Sequence, residues 1–341
     1  MAKIDDIMKM TGFSRTAVSK ALNDKDDISE ATKKIIRDAA RELNYIPNIN
    51  ARNLRSKNNN VIALIISSPS AESEKTNTLY PLLMGVNKAM AAQHYELALY
   101  IIDSKDQAAK SYVAFCRERN VKGAILVGIK TDDDYIKQLK NSEIPYVLID
   151  VDIRGTDHMN VVKIDDVTAA FEATEHLIDH NHKNIAFING GKTATVAIDR
   201  WEGYQKALAE HGLPLQHDYV KIADFSEEKA YAVTKALFKQ HPELTAVFCA
   251  SDLMALGTMK ALDDLELDVP RDVSVVGFDD IPLASYVKPA LTTINQSFFE
   301  KGNKAADLIA SLLKESQDKK IITLPHKLMR RNSVAHNKRS A

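Results

Sequence analysis

From residue 61 onward, short runs of apolar and β-branched residues alternate with longer segments in which apolar residues recur every three or four positions. The runs predict buried strands and the longer segments predict helices. The strands are expected at residues 61–68, 96–102, 123–128, 145–150, 160–165, 184–190, 219–224, 245–250 and 273–278. The helices are expected at residues 82–93, 106–119, 132–141, 167–180, 200–211, 227–240 and 253–266. This alternation predicts an α/β fold with parallel sheets and right-handed crossovers.

The alternation runs through two successive sets, which predicts two α/β subdomains over 61–341 and a ligand cleft between them. A helix at 298–315 and a late strand at 321–325 would cross back to complete the halves. The expected subdomains are an N-subdomain of about 61–160 plus 292–320 and a C-subdomain of about 161–291 plus 321–338.

Residues 1–46, called the head below, have a different pattern that predicts three short helices and no strand. Gly12 marks a sharp turn between the first two helices, and Ser14 is placed to cap the second. A third helix is predicted over 30–43, with Ser29 as its N-cap. The inward positions of the first two helices are Ile7, Met8, Val18 and Leu22, and the outer face of the second carries Arg15, Thr16, Ser19 and Lys20. A polar, cationic helix braced by another helix fits the major groove of DNA.

Residues 47–60 are polar, end in three asparagines and predict a linker between the head and the α/β region. Residues 51–55 have the composition for one or two helical turns. Helices this short are unstable alone in water, so we expect a hinge helix that forms only when it docks.

Charge is distributed unevenly along the 341 residues, although the net charge is only −1. Residues 1–60 hold 12 Lys and Arg against 8 Asp and Glu, a net +4, whereas the remainder holds 33 against 38, a net −5. A basic head on a mildly acidic body fits a nucleic-acid-binding protein. The two cysteines, Cys116 and Cys249, have apolar neighbours and are expected to be buried and reduced. With no transmembrane run and no signal peptide, we expect a cytoplasmic bacterial protein near the nucleoid.

Other chemistries fit less well. Residues 190–193 resemble the end of a phosphate-binding loop, but the first glycine of that motif would fall at Ala186. His176, His180 and His182 have spacing that could hold a metal, yet we expect a solvated helix end, with no metal and no cofactor. A solute-binding transport component would need a signal peptide, and an enzyme would need a catalytic constellation that is absent from the sequence. We therefore expect no enzyme activity.

Several segments together resemble the LacI/GalR family of bacterial transcription regulators, and the resemblance covers nearly the whole chain. In family order they are IDDIMKMTGFSRTAVSKALN (4–23), ELNYIPNINARNL (42–54), NHKNIAF (181–187), RWEGY (200–204), ASDLMALG (250–257), DVSVVGFDD (272–280) and PALTTINQ (289–296). The resemblance implies a helix-turn-helix head followed by an effector domain similar to periplasmic sugar-binding proteins. It also implies a homodimer that binds a pseudo-palindromic operator. The tail lacks leucine heptads, so nothing indicates a tetramer.

The resemblance assigns roles in DNA binding to residues of the head and hinge. It implies base contacts for Arg15, Thr16 and Lys20, phosphate contacts for Ser14, Ser19, Asn23 and Tyr45, and a hinge helix containing Ala51 and Leu54. The leucine would be a wedge in the minor groove. Two residues depart from the family. Asp5 stands where an aromatic residue is frequent, and Lys20 stands where arginine is common, which replaces a planar fork with a point charge. We therefore expect an operator related to the family's usual one without being identical.

For the effector, the expected contacts lie at strand ends or helix starts that face the cleft: Asp150, Arg200, Phe225, Asp279 and Phe298. Arg200 with Gly203 matches the family's Arg-x-x-Gly element. Residues 69–81 are longer and more polar than the family's usual lid, which leaves Ser68, Asn77 and Tyr80 as open candidates and the ligand unidentified. The resemblance favours a repressor of a sugar-utilisation operon. The alternatives are a purine-responsive repressor and a carbon-catabolite regulator whose corepressor is a phosphocarrier protein.

Overall fold

A computed structural model of the chain describes residues 2–25, 27–45, 60–67, 78–153, 159–314 and 320–338. These residues form two compact units that divide at residue 60. The predicted hinge with Ala51 and Leu54 lies outside the described residues, as do Ser68 and Asn77. Among the described residues, no helix is both long enough and apolar enough to cross a membrane.

The head contains three helices, α1 (Ile4–Thr11), α2 (Arg15–Leu22) and α3 (Glu30–Glu42). Gly12 has a φ of 72°, a left-handed conformation that glycine adopts without strain, and its N–H donates to the Met8 carbonyl. The side chains of Ser14 and Ser29 accept from the backbone N–H of Ala17 and Thr32, which caps α2 and α3. A small core holds the helices together and consists of Ile7, Val18, Ala21, Ile36, Ala39 and Ala40. The predicted three-helix head is therefore confirmed.

The second unit, called the α/β unit below, contains two six-stranded sheets. Its strands are β1 (Val61–Ser67), β2 (Glu96–Ile102), β3 (Gly123–Val127), β4 (Tyr146–Ile149), β5 (Val161–Ile164), β6 (Ile185–Asn189), β7 (Val220–Ile222), β8 (Ala246–Cys249), β9 (Ser274–Asp279), β10 (Thr292–Asn295), β11 (Ile321–Leu324) and β12 (Lys327–Met329). Its helices are α4 (Leu79–Ala92), α5 (Ser104–Ala109), α6 (Tyr112–Glu118), α7 (Asp134–Leu139), α8 (Asp166–Asp179), α9 (Thr195–Glu210), α10 (Glu227–Gln240), α11 (Asp252–Asp263), α12 (Pro282–Tyr286) and α13 (Phe298–Lys314).

The first sheet has the strand order β11-β5-β4-β3-β1-β2, and the second has the order β12-β10-β9-β8-β6-β7. All pairs are parallel except that of β10 with β12. The central strands are buried because helices cover both faces, which explains their continuous apolar runs. The predicted two-subdomain α/β fold with parallel sheets is confirmed.

The strands near the crossovers lie in different sheets from those expected. β5 and β11 belong to the first sheet and not to the second, and β10 belongs to the second and not to the first. Each has only four residues, which is too short a pattern to indicate which of the two sheets it joins. β5 pairs with β4, and β10 pairs with β9. Such pairing depends on contacts between separate segments of the chain, which the local pattern of apolar residues does not specify.

Local structure also differs from the expectation at 106–119, where one long helix was predicted. The chain forms α5 and α6 instead, because both Asp103 and Ser111 act as N-caps by accepting from a backbone N–H three residues later. The strands β10 and β12 were not predicted, since neither has a long apolar run.

The histidines at the end of α8 are a further correction, because His176 and His182 are buried and not solvated. His182 Nδ1 lies 2.9 Å from Thr245 Oγ1, and its Nε2 lies 3.0 Å from the Ala335 carbonyl oxygen. The ring thereby joins the C-terminal segment to the second sheet. Burial lowers the pKa of both histidines to about 4. Within the described ranges, no group of three or more His, Cys, Asp or Glu is placed to hold a metal ion.

His182 is expected to make the α/β unit sensitive to acid. Its pKa is about 4 in the folded chain against an ordinary histidine value of 6.5, so the stability that the neutral ring contributes is present above pH 6.5 and lost as the pH falls toward 4. His182→Gln should therefore reduce the slope of unfolding free energy against pH in that window by up to about 1.4 kcal/mol per pH unit. Urea titrations at several pH values measure this slope, and His217→Gln, at an exposed histidine, is the control. An unchanged slope in His182→Gln would contradict the expectation.

Candidate functional site

The outer side of α2 presents the residues predicted to contact DNA. Arg15, Thr16 and Asn23 are exposed, and Ser19 and Lys20 are half-buried. The helix has this face because Val18 and Ala21, on the opposite side, are fully buried in the head core.

Three predicted phosphate contacts also have structural roles in the head. Ser14 caps α2, and the Asn23 side-chain amide donates to the Ser19 carbonyl oxygen at 2.7 Å at the other end of the helix. Tyr45 packs against the head core. The structure thus brings Ser14, Arg15, Thr16, Ser19, Lys20, Asn23 and Tyr45 into one small unit, while Ala51 and Leu54 lie outside the described residues.

Each of the two cations on α2 faces an acid from a neighbouring segment. Lys20 Nζ donates to the Asp27 carboxylate, which lies between α2 and α3. Arg15 Nη1 is 3.9 Å from Asp5 Oδ1 on α1. The side chains of Asp5 and Asp27 are each 55% exposed, so both pairs are open to solvent.

In the α/β unit, the predicted effector contacts come from both sheets. Asp150 directly follows β4 of the first sheet, Asp279 ends β9 of the second, and Phe225 follows β7. All three have positive φ, at 60°, 120° and 60° respectively. Because the carboxyl ends of parallel strands are where open α/β sheets bind ligands, these positions favour a ligand site. Arg200 lies in α9 and Phe298 begins α13.

Arg200 is buried and holds three parts of the second subdomain together. Its Nε donates to Asp166 Oδ1 at 2.8 Å, and its Nη1 donates to the Ala250 carbonyl oxygen at 2.6 Å and lies 3.9 Å from Asp279 Oδ1. The guanidinium also lies 3.7 Å from the centroid of the Phe278 ring. The side chains of Arg200 and Asp166 are only 4% and 3% exposed. The pair is therefore a buried salt bridge.

Gly203 explains why the Arg-x-x-Gly element needs its glycine. A Cβ at this position would lie 2.2 Å from the Val167 carbonyl oxygen. Helix α9 can therefore approach α8 closely only with glycine here, and this approach brings Arg200 to Asp166 at the start of α8.

Lys301 is one of three residues at this site that sequence reasoning missed, together with Gln296 and Asp166. Its side chain is fully buried, and its Nζ donates to Asp150 Oδ1 and Oδ2 at 2.6 and 2.8 Å and to Gln296 Oε1 at 2.5 Å. Gln296 in turn donates through Nε2 to Asp279 Oδ1. A signal was present, because Lys301 lies on the same helical phase as Phe298 and the buried Ala305. A lysine at an inward position indicates a buried partner.

These contacts form one chain of polar side chains between the two sheets, called the cleft network below: Asp150, Lys301, Gln296, Asp279, Arg200 and Asp166. Phe298 joins its edge, since Lys301 Nζ lies 5.3 Å from the centroid of that ring. Four of the five predicted effector contacts therefore meet at this network.

Phe225 lies elsewhere on the same edge of the second sheet. It packs against Gly190, where a Cβ would lie 2.1 Å from the ring. Gly190 also lines a cavity of about 420 Å³ together with Asn189, Lys192 and Trp201, the single tryptophan of the chain. The glycine therefore serves close packing of the aromatic ring.

The two subdomains touch beside the network. The Thr131 backbone N–H and hydroxyl both donate to the Thr193 carbonyl oxygen at 3.1 Å, and Thr195 Oγ1 donates to the Asp150 carbonyl oxygen at 2.8 Å. A ligand that changes the separation of the sheets must change these contacts.

The two aspartates after β9 have different environments. Burial raises the pKa of Asp279 to about 6. Asp280 instead accepts from Asn295 Nδ2 at 2.8 Å and from Arg331 Nη2 at 2.5 Å. Asp280 is therefore a structural residue, and Asp279 is the one that belongs to the cleft network.

The head and the α/β unit each match a known protein family model. A family model for bacterial regulatory proteins of the lacI family matches residues 3–48, and a model for a periplasmic binding protein-like domain matches residues 174–334. The chain is 32% identical over 338 residues to the HTH-type transcriptional repressor PurR of Pasteurella multocida (strain Pm70), covering 98% of this chain and 99% of that protein.

Solved structures give the same result. The lac repressor dimer bound to operator and the anti-inducer ONPF matches with a TM-score of 0.86 and 25% identity, covering 98% of this chain and 99% of that chain. The complex of the transcriptional regulator CelR with cellobiose matches with a TM-score of 0.73 and 26% identity, covering 98% of this chain and 100% of that chain. On the extent of these matches, the chain belongs to the lacI family of bacterial regulatory proteins.

Proposed function

We propose that this chain is a repressor whose affinity for operator DNA is controlled by a neutral carbohydrate bound at the cleft network. We infer the class of ligand from the exposed fractions of the acidic and basic side chains in the network. The side chains of Asp150 and Asp279 are 20% and 12% exposed, whereas those of Lys301 and Arg200 are 0% and 4% exposed. The aspartate side chains are thus partly accessible to a ligand, whereas the two cations are shielded from solvent.

Accessible carboxylate oxygens select for a ligand that donates hydrogen bonds. Sugar hydroxyls do so, and the Phe298 and Phe225 rings supply faces for the apolar C–H surface of a sugar. An anionic sugar would meet the carboxylates before the cations and be repelled. The similar CelR regulator was solved in complex with cellobiose, which supports a carbohydrate here.

A thermal-shift screen of the full chain with neutral mono- and disaccharides, sugar phosphates and purines tests this proposal. A neutral sugar at about 100 times its Kd should stabilise the folded chain by about 2.7 kcal/mol. Fluorescence of Trp201 gives a second readout, because that residue lines the cavity beside Gly190. A response to purines or sugar phosphates alone would contradict a neutral carbohydrate. If no small molecule responds, the effector is better sought in a phosphocarrier protein.

We propose that α2 reads bases through Arg15, Thr16 and Lys20, while Ser14, Ser19, Asn23 and Tyr45 contact phosphates. We also propose, from the sequence, that the hinge with Ala51 and Leu54 contacts the operator and that Leu54 is a wedge in the minor groove. Exposure of Arg15 and Thr16 at the start of α2 supports the first assignment, since the N-terminal part of a recognition helix contacts base edges.

Arg15→Ala is expected to relax specificity at one base pair of each half-site, at a cost of about 1–3 kcal/mol. An arginine that pairs with guanine O6 and N7 makes two hydrogen bonds that no other base edge offers. Titration of duplexes in which each base pair is changed in turn measures the loss. Arg41→Ala, at an exposed arginine of α3, is the control. A loss that is equal for all duplexes would make Arg15 a phosphate contact.

We propose a homodimer in solution. Large apolar side chains are exposed on both subdomains of the α/β unit, with Leu99 and Ile101 on edge strand β2 at 47% and 63% and Leu283 and Tyr286 on α12 at 45% and 81%. Exposed apolar side chains grouped in this way favour burial against another protein surface. Sedimentation equilibrium of the full chain checks the proposal, and a monomer mass at micromolar concentration would contradict it.

We further propose that the chain has no enzyme activity and acts in the bacterial cytoplasm, where its DNA target lies. The two thiols are buried, and burial raises the pKa of Cys116 to about 11 and that of Cys249 to about 12. Neither is a useful nucleophile, because the thiolate is the reactive form. An assay of the purified chain for turnover of any sugar that gives a thermal shift tests this point.

A further inference from the structure

Acidic side chains near α2 pair with cations on different helices. Asp27 pairs with Lys20 of α2, whereas Asp24 in the same loop pairs with Lys33 and Arg37 of α3 at 3.0 and 2.6 Å. The hydrogen bond from Lys20 lowers the pKa of Asp27, as expected for a carboxylate beside an ammonium group. Asp5 faces Arg15 at 3.9 Å. Both cations proposed to read bases are thus neutralised by an acid that is not on their helix.

We propose that Asp27, and to a smaller extent Asp5, are specificity-determining residues of the head: they hold Lys20 and Arg15 in ion pairs that disfavour binding to phosphates alone. This inference rests on the proposed DNA-binding function. The chemical partner that replaces the carboxylates is a base edge with two acceptor atoms, such as guanine O6 and N7.

The physical reason lies in the difference between phosphate and base contacts. Binding to DNA of any sequence depends on cations that neutralise phosphates and release counterions. A lysine that is already paired with an aspartate causes the release of fewer counterions when it binds a phosphate. The aspartate itself is repelled by a nearby phosphate. A solvent-exposed ion pair is weak enough to be exchanged for a better acceptor. Asp27 therefore weakens phosphate contacts, which DNA of any sequence offers, more than it weakens a contact to a specific base. Specificity is the difference between the free energies of binding to the operator and to other DNA, so Asp27 increases it.

Asp27→Asn tests the inference in the full chain. The probes are a duplex enriched from a random library by the wild-type chain and a shuffled duplex of the same length and composition. Affinity for the shuffled duplex should rise about two- to fivefold, as expected for loss of an exposed ion pair, with a salt dependence steeper by up to about 0.9 in log–log slope. Affinity for the enriched duplex should stay within error, so the specificity ratio falls. Asp5→Asn should show the same change with a smaller size, because its pair is longer.

Asp38→Asn is the matched control, because it removes the same charge from the same unit and its side chain is also 55% exposed, while its partner is Arg41 on α3. It should leave the specificity ratio unchanged. A second control is Asp27→Asn in a Lys20→Gln background, where the effect on the shuffled duplex should vanish because the pair no longer exists.

Three results would overturn the inference: an equal rise for both duplexes, no change for either, or a loss of affinity for the enriched duplex alone. Persistence of the effect in the Lys20→Gln background would also overturn it. Failure of the underlying DNA-binding function is distinguishable, because the wild-type chain would then enrich no duplex over the shuffled one.

Discussion

Arg200→Ala is expected to lower the free energy of unfolding of the α/β unit by about 3–5 kcal/mol, the range for removing one partner of a buried ion pair. The substitution leaves the Asp166 carboxylate, which is 3% exposed, without its guanidinium, and it also removes the donor to the Ala250 carbonyl oxygen. The cleft network loses its contact with Asp279 in the same step. The response to the carbohydrate should therefore disappear together with much of the stability.

Urea unfolding of the α/β unit in the full chain measures this change. Lys206→Ala is a matched control on the same helix, because Lys206 is 58% exposed and pairs with Glu210 across one turn at 3.8 Å. It should cost no more than about 0.5 kcal/mol. The double variant Arg200→Met with Asp166→Asn should recover most of the loss, since no charge is then buried alone. A loss below about 1 kcal/mol in Arg200→Ala would show that Asp166 is not held by this pair.

Lys301→Met is the second large expected effect. The methionine fills the same space without a charge, so Asp150 loses both hydrogen bonds from Nζ and Gln296 loses its donor. We expect a cost of about 3 kcal/mol, at the lower end of the range for a broken buried pair because Asp150 is 20% exposed to water.

The double variant Lys301→Met with Asp150→Asn separates stability from ligand binding. Asparagine tolerates the φ of 60° at residue 150 and carries no charge, so unfolding free energy should return to within about 1 kcal/mol of the wild-type value. The thermal shift with the carbohydrate should still be absent, because the carboxylate that accepts hydrogen bonds from the sugar hydroxyls is gone. A restored thermal shift would contradict the role proposed for Asp150, while an unrestored stability would contradict the pairing of Lys301 with it.

Strand and helix positions were predictable because buried positions are marked by a local pattern of apolar residues in the sequence. The strands β1 to β9 follow apolar runs whose length and spacing are set by helices on both faces, and their predicted positions agree with the structure to within two residues at either end. The head was predictable for a similar reason, since Gly12, Ser14 and Ser29 have turn and cap roles that depend on only a few neighbouring residues. The single helix expected at 106–119 was wrong because two caps, Asp103 and Ser111, compete over a short distance.

The cleft network shows how far sequence reasoning reached into the site. Asp150, Arg200, Asp279 and Phe298 were predicted from strand ends, a helix start and the family resemblance, and the structure brings them together. Lys301, Gln296 and Asp166 were missed, since a buried lysine becomes meaningful only when its acceptors, 151 and five residues away, are known. The effector role of all these residues remains a prediction.

By itself the sequence determined an α-helical head, an α/β body with parallel strands and the residues on the outer face of α2, because each depends on periodicity or on caps within a few positions. Only the tertiary structure decided which sheet β5, β10 and β11 join, that His182 is buried against the C-terminal segment, and that Lys20 and Arg15 face acids from other segments. The physical reason is common to all of them. Strand pairing and ion pairing are contacts between residues far apart in the chain, and a local pattern of apolar and polar residues does not encode the partner.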